Sequence, residues 1–258
     1  MKINQISDLH LECRHLREYL HPGEGDILIL AGDILNVVHF KSDGIYKELY
    51  TKFLSDCSNN YKHVLYVMGN HEFYGYTLEK CDEKLRNNLP SNIHLLDNET
   101  LEIDGIHFIG STLWTNYFNE NPIEMLDASR YMRDCKYIRT RSNYRKITPH
   151  DILTIHNKSL DYLKVKIQEL ANERVFIITH HSPTFQAISD EYKNFSCNGS
   201  FCNDLDNLII ENPCIKNWAF GHLHTTWDFY IEQCRLTCNP IGYPGEQTNY
   251  KLNFSIND

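Results

Sequence analysis

The sequence predicts an α/β fold, on three observations. Short continuous apolar runs such as Asp26-Ile27-Leu28-Ile29-Leu30-Ala31 and His63-Val64-Leu65-Tyr66-Val67 read as strands buried on both faces. Longer amphipathic stretches separate them and read as helices. Five strand-like runs end in a small cluster of Asp, His or Asn, and open α/β sheets place their ligands at such strand ends.

Taken in order, Lys2 to Ile6 alternates polar and apolar, reads as a first strand and ends in Ser7-Asp8-Leu9-His10. The 26–31 run ends in Gly32-Asp33-Ile34-Leu35-Asn36. A helix is predicted over about 42–57, then the 63–67 strand, the loop Gly69-Asn70-His71-Glu72 and a helix over about 77–89. Leu101 to Ile109 reads as two short strands about the Asp104-Gly105 turn. Residues 112–147 are less regular. A long amphipathic helix follows over about 149–170, with Thr148 to cap it and Pro149 suited to its first turn. Arg174 to Ile178 is a buried strand ending in Thr179-His180-His181-Ser182-Pro183. A helix near 204–211 leads to Trp218-Ala219-Phe220 and Gly221-His222-Leu223-His224, and the tail from Asp228 reads as short strands.

The 258 residues are 41% apolar, enough for a large core, and no repeat or Pro/Gly/Ser linker divides them. One domain over 1–258 is expected, with a basic cap-like insertion at about 112–147. The net charge of −9 argues against general binding to nucleic acid through phosphate attraction. The nine cysteines make no C-x-x-C pair and read as reduced, inert thiols. The first residues are too polar for a signal peptide, and no run approaches the roughly 18 apolar residues of a membrane span. A cytoplasmic protein without membrane contact is expected.

Asp8, His10, Asp33, Asn70, His180, His222 and His224 are the candidate metal ligands. In Asp8-x-His10 and His222-x-His224 the partners are two apart, so on an extended chain each pair would grip one ion. Carboxylate, imidazole and amide oxygen without thiolate suit Mn, Fe, Zn, Ni or Co. Seven ligands are too many for one tetrahedral ion and suit two divalent ions, with Asp33 bridging. Such a pair, about 3.5–4 Å apart, would clamp the oxygens of a phosphoryl transfer.

The ordered set Asp8-x-His10, Gly32-Asp33, Gly69-Asn70-His71-Glu72, His180 and Gly221-His222-x-His224 resembles the calcineurin-like metallophosphoesterases. The resemblance implies a four-layer α/β/β/α sandwich of two mixed sheets. It implies Asp8, His10, Asp33 and His224 on one metal, and Asp33, Asn70, His180 and His222 on the other. A metal-bridging hydroxide would attack phosphorus in line, and His71 would protonate the leaving oxygen or steady the phosphoryl group. Many members carry Asp three residues after the bridging Asp, to hydrogen-bond the catalytic His; here that residue is Asn36. A neutral amide would orient His71 but stabilise its imidazolium less, so a lower working pKa is expected, with Asn36→Asp shifting the pH–rate profile upward. The stretch Asn239-Pro240-x-Gly242-Tyr243-Pro244-x-Glu246 resembles a bacterial and phage subgroup and fixes no substrate.

Residues 130–146 hold seven basic residues against Asp134, a net of +6. This is either a solvated face or a cap whose arginines engage substrate by bidentate pairing. Arg130, Arg139 and Arg141 are the candidate contacts, and His181, next to the expected ligand His180, faces either substrate or merely solvent. Trp114 is expected in the core rather than the cleft. The favoured function is hydrolysis of a small or nucleotide-like phosphomonoester or phosphodiester. A nuclease or nucleic-acid phosphatase is the alternative, and a non-catalytic module on the same fold ranks third. No oligomeric state is predicted.

Overall fold

Strand pairing sorts the chain into two mixed sheets. The structure, a computed structural model, describes residues 1–15, 19–140 and 144–257. The first sheet contains β1 (Lys2–Ile6), β2 (Gly25–Ala31), β3 (Tyr61–Val67), β4 (Ile93–Leu95) and β11 (Ser255–Asn257), in the order β11-β1-β2-β3-β4. The second contains β5 (Glu99–Ile103), β6 (Ile106–Ser111), β7 (Arg174–Thr179), β8 (Ile215–Phe220), β9 (Trp227–Ile231) and β10 (Cys234–Cys238), in the order β5-β6-β7-β8-β10-β9. The inner strands of both sheets run parallel, and β11, β5 and β9 pair antiparallel at edges.

The continuous apolar runs exist because each sheet is covered on both faces. In β2, Leu28 and Leu30 pack with Leu49, Phe53 and Leu54 of helix α1 (Ile45–Asn60) and Leu85 of α2 (Leu78–Arg86). The alternate residues Ile27, Ile29 and Ala31 meet Phe108, Phe176, Ile178 and Ala219 of the second sheet. On that sheet's outer face Val175, Ile177 and Trp218 pack with Leu163 and Ile167 of helix Pro149–Glu169 and Ile209 of helix Asp206–Glu211. The result is four layers, α/β/β/α. Each fully buried Ile, Leu or Phe contributes about 1.5–3 kcal/mol by leaving water.

Some expected boundaries move. The first helix starts at Ile45, because Val37–Lys41 forms its own 3-10 turn and Ser42 terminates it in extended conformation. β4 is only three residues long and follows β3 through α2. Trp114 is a core residue, 2% exposed. All nine cysteines are free, and no helix of the described residues is long and apolar enough to cross a membrane.

Two buried amides align the ends of the sheets. Gln5 on β1 donates from Nε2 to the carbonyls of Phe220 (2.9 Å) and Thr237 (3.1 Å) in the second sheet. Asn239 Nδ2 donates to the Gln5 carbonyl at 2.8 Å. Asn239 also brings the 239–246 segment alongside Ser7 and Asp8, where Ile241 N donates to Ser7 O (3.0 Å) and Gly242 N to Asp8 O (2.9 Å). The carboxyl ends of β1, β2, β3, β7 and β8 therefore meet at one rim.

Candidate metal centre

Asp8, Asp33 and Asn70 follow three neighbouring parallel strands, β1, β2 and β3; His180 and His222 follow neighbours β7 and β8. Five of the seven candidate ligands have left-handed backbone: Asp8 (φ 51°), His10 (47°), Asp33 (55°), His222 (71°) and His224 (50°). For non-glycine residues this conformation costs of order 1–3 kcal/mol each and collects at functional sites. The chain at Asp8-x-His10 and His222-x-His224 is thus not extended. Paired left-handed hooks, rather than strand alternation, aim both side chains inward. The fully buried Glu72 fixes the two loops. Its carboxylate accepts the N–H groups of Asp33 (3.1 Å), Ile34 (2.8 Å) and Gly69 (2.7 Å) and the Tyr66 hydroxyl (2.7 Å). Position 69 must be glycine, since a Cβ there would collide with the Asp33 carboxylate.

Hydrogen bonds behind the ligands dictate which atoms face inward. His180 Nδ1 donates to the Ala31 carbonyl at 2.9 Å, so Nε2 presents a lone pair. Asn70 Nδ2 donates to Asp134 (2.8 Å) and to the Tyr74 hydroxyl (3.0 Å), which fixes its amide and turns Oδ1 inward. Around His180 Nε2 lie Asn70 Oδ1 at 3.1 Å, His222 Nδ1 at 3.2 Å and Asp33 Oδ1 at 3.4 Å. On the other side, His224 Nδ1 meets Glu246 at 2.7 Å and His10 Nδ1 meets Glu12 at 3.3 Å. Their Nε2 atoms then face each other at 3.0 Å, with Asp8 Oδ1 3.5 Å from His224 Nε2 and Asp33 Oδ2 3.9 Å from His10 Nε2.

Acceptors facing acceptors repel unless a positive charge lies among them. Among the described residues, three groups have donor atoms within 4.8 Å of one another: Asp8, His10 and His224; Asp33, His180 and His222; and His10, Asp33 and His71. The donor set fits borderline divalent ions. The same carboxylates raise the proton affinity of the imidazoles they face. Burial lowers the pKa of His180, but Asp33 and Asp8 outweigh it and raise it to about 10. Burial likewise opposes Asp8 and Glu246 at His224, which they raise to about 9.

His71 is buried beside this cluster. Its backbone N–H donates to Asp33 Oδ1 at 2.8 Å, its Nδ1 meets Glu12 Oε1 at 2.7 Å, and its Nε2 lies 3.1 Å from the Tyr243 hydroxyl. Asn36 is not the partner expected for it: the Asn36 Oδ1 accepts from Val38 N at 3.2 Å, capping the turn that follows. The carboxylate comes from Glu12 instead, and the expected depression of the His71 pKa reverses. Burial pulls it down, but the charges of Asp33 and Glu12 and the Glu12 hydrogen bond raise it above the ordinary value. Glu12 itself, despite burial, is held at about 2 by His10 and His71. Glu12, Glu246, Tyr243 and Asp134 went unassigned from sequence. The run Asp8-x-His10-x-Glu12 continues one spacing further, and Tyr243 and Glu246 lie in the subgroup stretch.

A cavity of about 770 Å³ opens over Asp33, Asn70, His71, His222 and His224. Arg133 is the one Arg or Lys among the described residues that line it. Arg130 is exposed outside the lining, and Arg139 is occupied with Tyr144, its carbonyl at 3.0 Å and its ring centroid at 4.9 Å. Arg141 lies outside the described residues. His181 is 1% exposed and does not face the cavity; its Nδ1 donates to the Thr112 carbonyl (3.3 Å) and its ring packs 4.3 Å from His222. Burial and the His180 charge push its pKa down to about 3, so it is neutral. A second cavity, about 580 Å³, sits among Arg174, Lys216 and Asn217 and contains none of the candidate ligands.

Known proteins share this arrangement of strands. The Mycobacterium tuberculosis phosphopantetheinyl hydrolase superposes with a TM-score of 0.68 at 15% identity, covering 94% of this chain and 90% of that one. A putative 5'-nucleotidase from Staphylococcus aureus, solved with alpha-ketoglutarate, superposes with a TM-score of 0.52 at 13% identity, over 92% of this chain and 48% of that one. In sequence, the uncharacterized protein L509 of Acanthamoeba polyphaga mimivirus is 30% identical, covering 96% of this chain and 93% of its own. The family model for calcineurin-like phosphoesterases matches residues 1–226, the span that carries every candidate ligand from Asp8 to His224. By this match and by its two-sheet fold, the chain belongs to the calcineurin-like phosphoesterase family.

Proposed function

We propose that this protein is a two-metal phosphoesterase acting on a small or nucleotide-like phosphate ester. Asp8, His10, Asp33 and His224 would hold one ion, and Asp33, Asn70, His180 and His222 the other. The observation that carries the reading is the convergence of Asn70 Oδ1, His222 Nδ1 and Asp33 Oδ1 on the His180 lone pair, within 3.4 Å. The ions, Mn, Fe, Zn, Ni or Co by donor type, would lower the pKa of water towards about 7 and neutralise charge on the phosphoryl oxygens.

The chain's own residues do the rest. Asp33 shares its two oxygens between the half-sites. Asn70 presents its amide oxygen because Asp134 and Tyr74 hold its nitrogen. Protonated His71 keeps Nδ1–H on Glu12 and offers Nε2–H to the leaving oxygen. Glu12 stays anionic and restores the ring's proton affinity after transfer. Tyr243 steadies the same Nε2 at 3.1 Å. His222 and His224 support the reading further, since each sits in one of the clusters of donor atoms.

The structural neighbour named a phosphopantetheinyl hydrolase supports a phosphate ester as the substrate class we carry over to this chain. Arg133, the one arginine among the described residues that line the cavity, and the net charge of −9 weigh against a polyanionic nucleic acid. Nine free thiols suit a reducing compartment, and we place the protein in the cytoplasm. A screen of Mn-reconstituted protein against phosphomonoesters, phosphodiesters, cyclic nucleotides and oligonucleotides tests the proposal. Turnover that requires added metal is expected; no turnover with any ester under any reconstitution sinks it.

A further inference from the structure

We propose that the organic part of the substrate is a planar ring of aryl or nucleobase type, held by an aromatic wall of the cavity. The inference deepens the phosphoesterase reading and rests on it. Three rings line the cavity while widely exposed: Tyr131 at 62%, Tyr192 at 51% and Phe195 at 48%. Large rings are ordinarily buried, and exposed ones gathered about a concavity mark a ligand surface.

Phe195 continues inward through a further ring of the lining, Phe201. The Phe195 ring lies 6.3 Å from Phe201, and Phe201 stacks on the candidate ligand His222 at 4.9 Å with 27° between planes. An apolar file thus runs from the metal ligands to the mouth. A phosphoryl group at the ligands would carry its organic substituent along this file. A volume of about 770 Å³ lies in the usual range for small organic ligands, about 300–1,000 Å³. Aliphatic residues would serve an alkyl chain equally well; flat faces add stacking that only another flat group receives. Arg133, the one Arg or Lys among the described residues of the lining, supplies a cation suited to a single phosphate rather than to the backbone of a long polymer.

The test separates binding from turnover. The Mn-reconstituted full chain is titrated calorimetrically with phenylphosphonate, a nucleoside 5'-methylenephosphonate and propylphosphonate, none of which it can hydrolyse. Both ring compounds are expected to bind about tenfold tighter than the alkyl one. A nucleoside preference over phenyl assigns a nucleobase, and equality assigns a bare ring. Phe195→Leu keeps an apolar side chain but removes the ring, and with Tyr192→Ala it should erase most of the preference. Equal binding of ring and alkyl compounds, or a preference that survives both substitutions, overturns the proposal. Ring preference without hydrolysis of any ester would fail the phosphoesterase reading alone; hydrolysis without ring preference would fail this one alone.

Discussion

The two halves of the centre share Asp33 but are backed by different chemistry. On the Asp8 side, both imidazoles lean on carboxylates: His10 on Glu12 at 3.3 Å and His224 on Glu246 at 2.7 Å. On the Asn70 side, His180 leans on the neutral Ala31 carbonyl at 2.9 Å, and His222 Nε2 is buried with no hydrogen-bond partner among the described residues. His222 rests instead on the rings of Phe201 and His181. A carboxylate behind an imidazole raises its basicity as a ligand more than a carbonyl does. The two proposed ions are therefore inequivalent, and the one on the Asn70 side should leave first when chelator is added.

The largest expected effect comes from the group the halves share. Asp33→Asn should abolish turnover and cost more than the roughly 100-fold typical of outer-sphere changes. Metal analysis of the variant should show fewer ions per chain than the parent. Retention of full metal content would show that the halves do not meet at Asp33.

Glu12→Gln should follow, at about 10–100-fold, because it touches His10 and His71 together. The sign of its pH effect is fixed by the contact. Glu12 raises the His71 pKa against the pull of burial. A general acid acts while protonated, so activity falls as pH rises through that pKa. Losing the charge lowers the pKa, and the alkaline limb should move to lower pH. Asn36→Asp, whose site points to Val38 instead, should leave that limb in place. A profile that answers to position 36 and not to position 12 would reverse the assignment.

The fold was legible in sequence wherever a strand is buried on both faces, as in 26–31 and 63–67, because such strands must be apolar throughout. The ligands were legible because Asp, His and Asn are costly to place at a buried strand end without a partner. Partners set by tertiary geometry were not. Glu12 reaches His71 only because the chain turns left-handed at His10, which no alternation rule describes. Asn36 has a competing local use, since an Asn before a turn caps it. Among the basic residues, charge could not choose. Arg139 is drawn into a bridge with Thr77 and Lys146, and Arg133, one short turn away, lines the cavity.

Glu246→Gln confines the perturbation to the Asp8 side. Its carboxylate holds His224 Nδ1 and also accepts Tyr243 N at 2.8 Å, so the amide would keep the loop contact and lose the charge. About a tenfold loss of affinity for one ion is expected, at the low end of outer-sphere effects. Chelator titration followed by residual metal content should then show the gap between the two ions narrowed. If the gap widens, the carboxylate-backed half is the weaker one.

The smallest effect should come from the opposite side, where stacking replaces charge. Phe201→Leu keeps an apolar contact beneath His222 but loses the 27° stack. An aromatic pair contributes about 0.5–1.5 kcal/mol beyond its buried area, a factor of about 2–12 in affinity. The change should weaken the Asn70-side ion alone and advance its release by chelator, with the other ion unmoved. Because Phe201 carries no charge, this shift should not depend on salt, whereas that of Glu246→Gln should shrink as salt screens the lost charge. Equal salt dependence for the two variants would mean that the halves differ in packing and not in electrostatics.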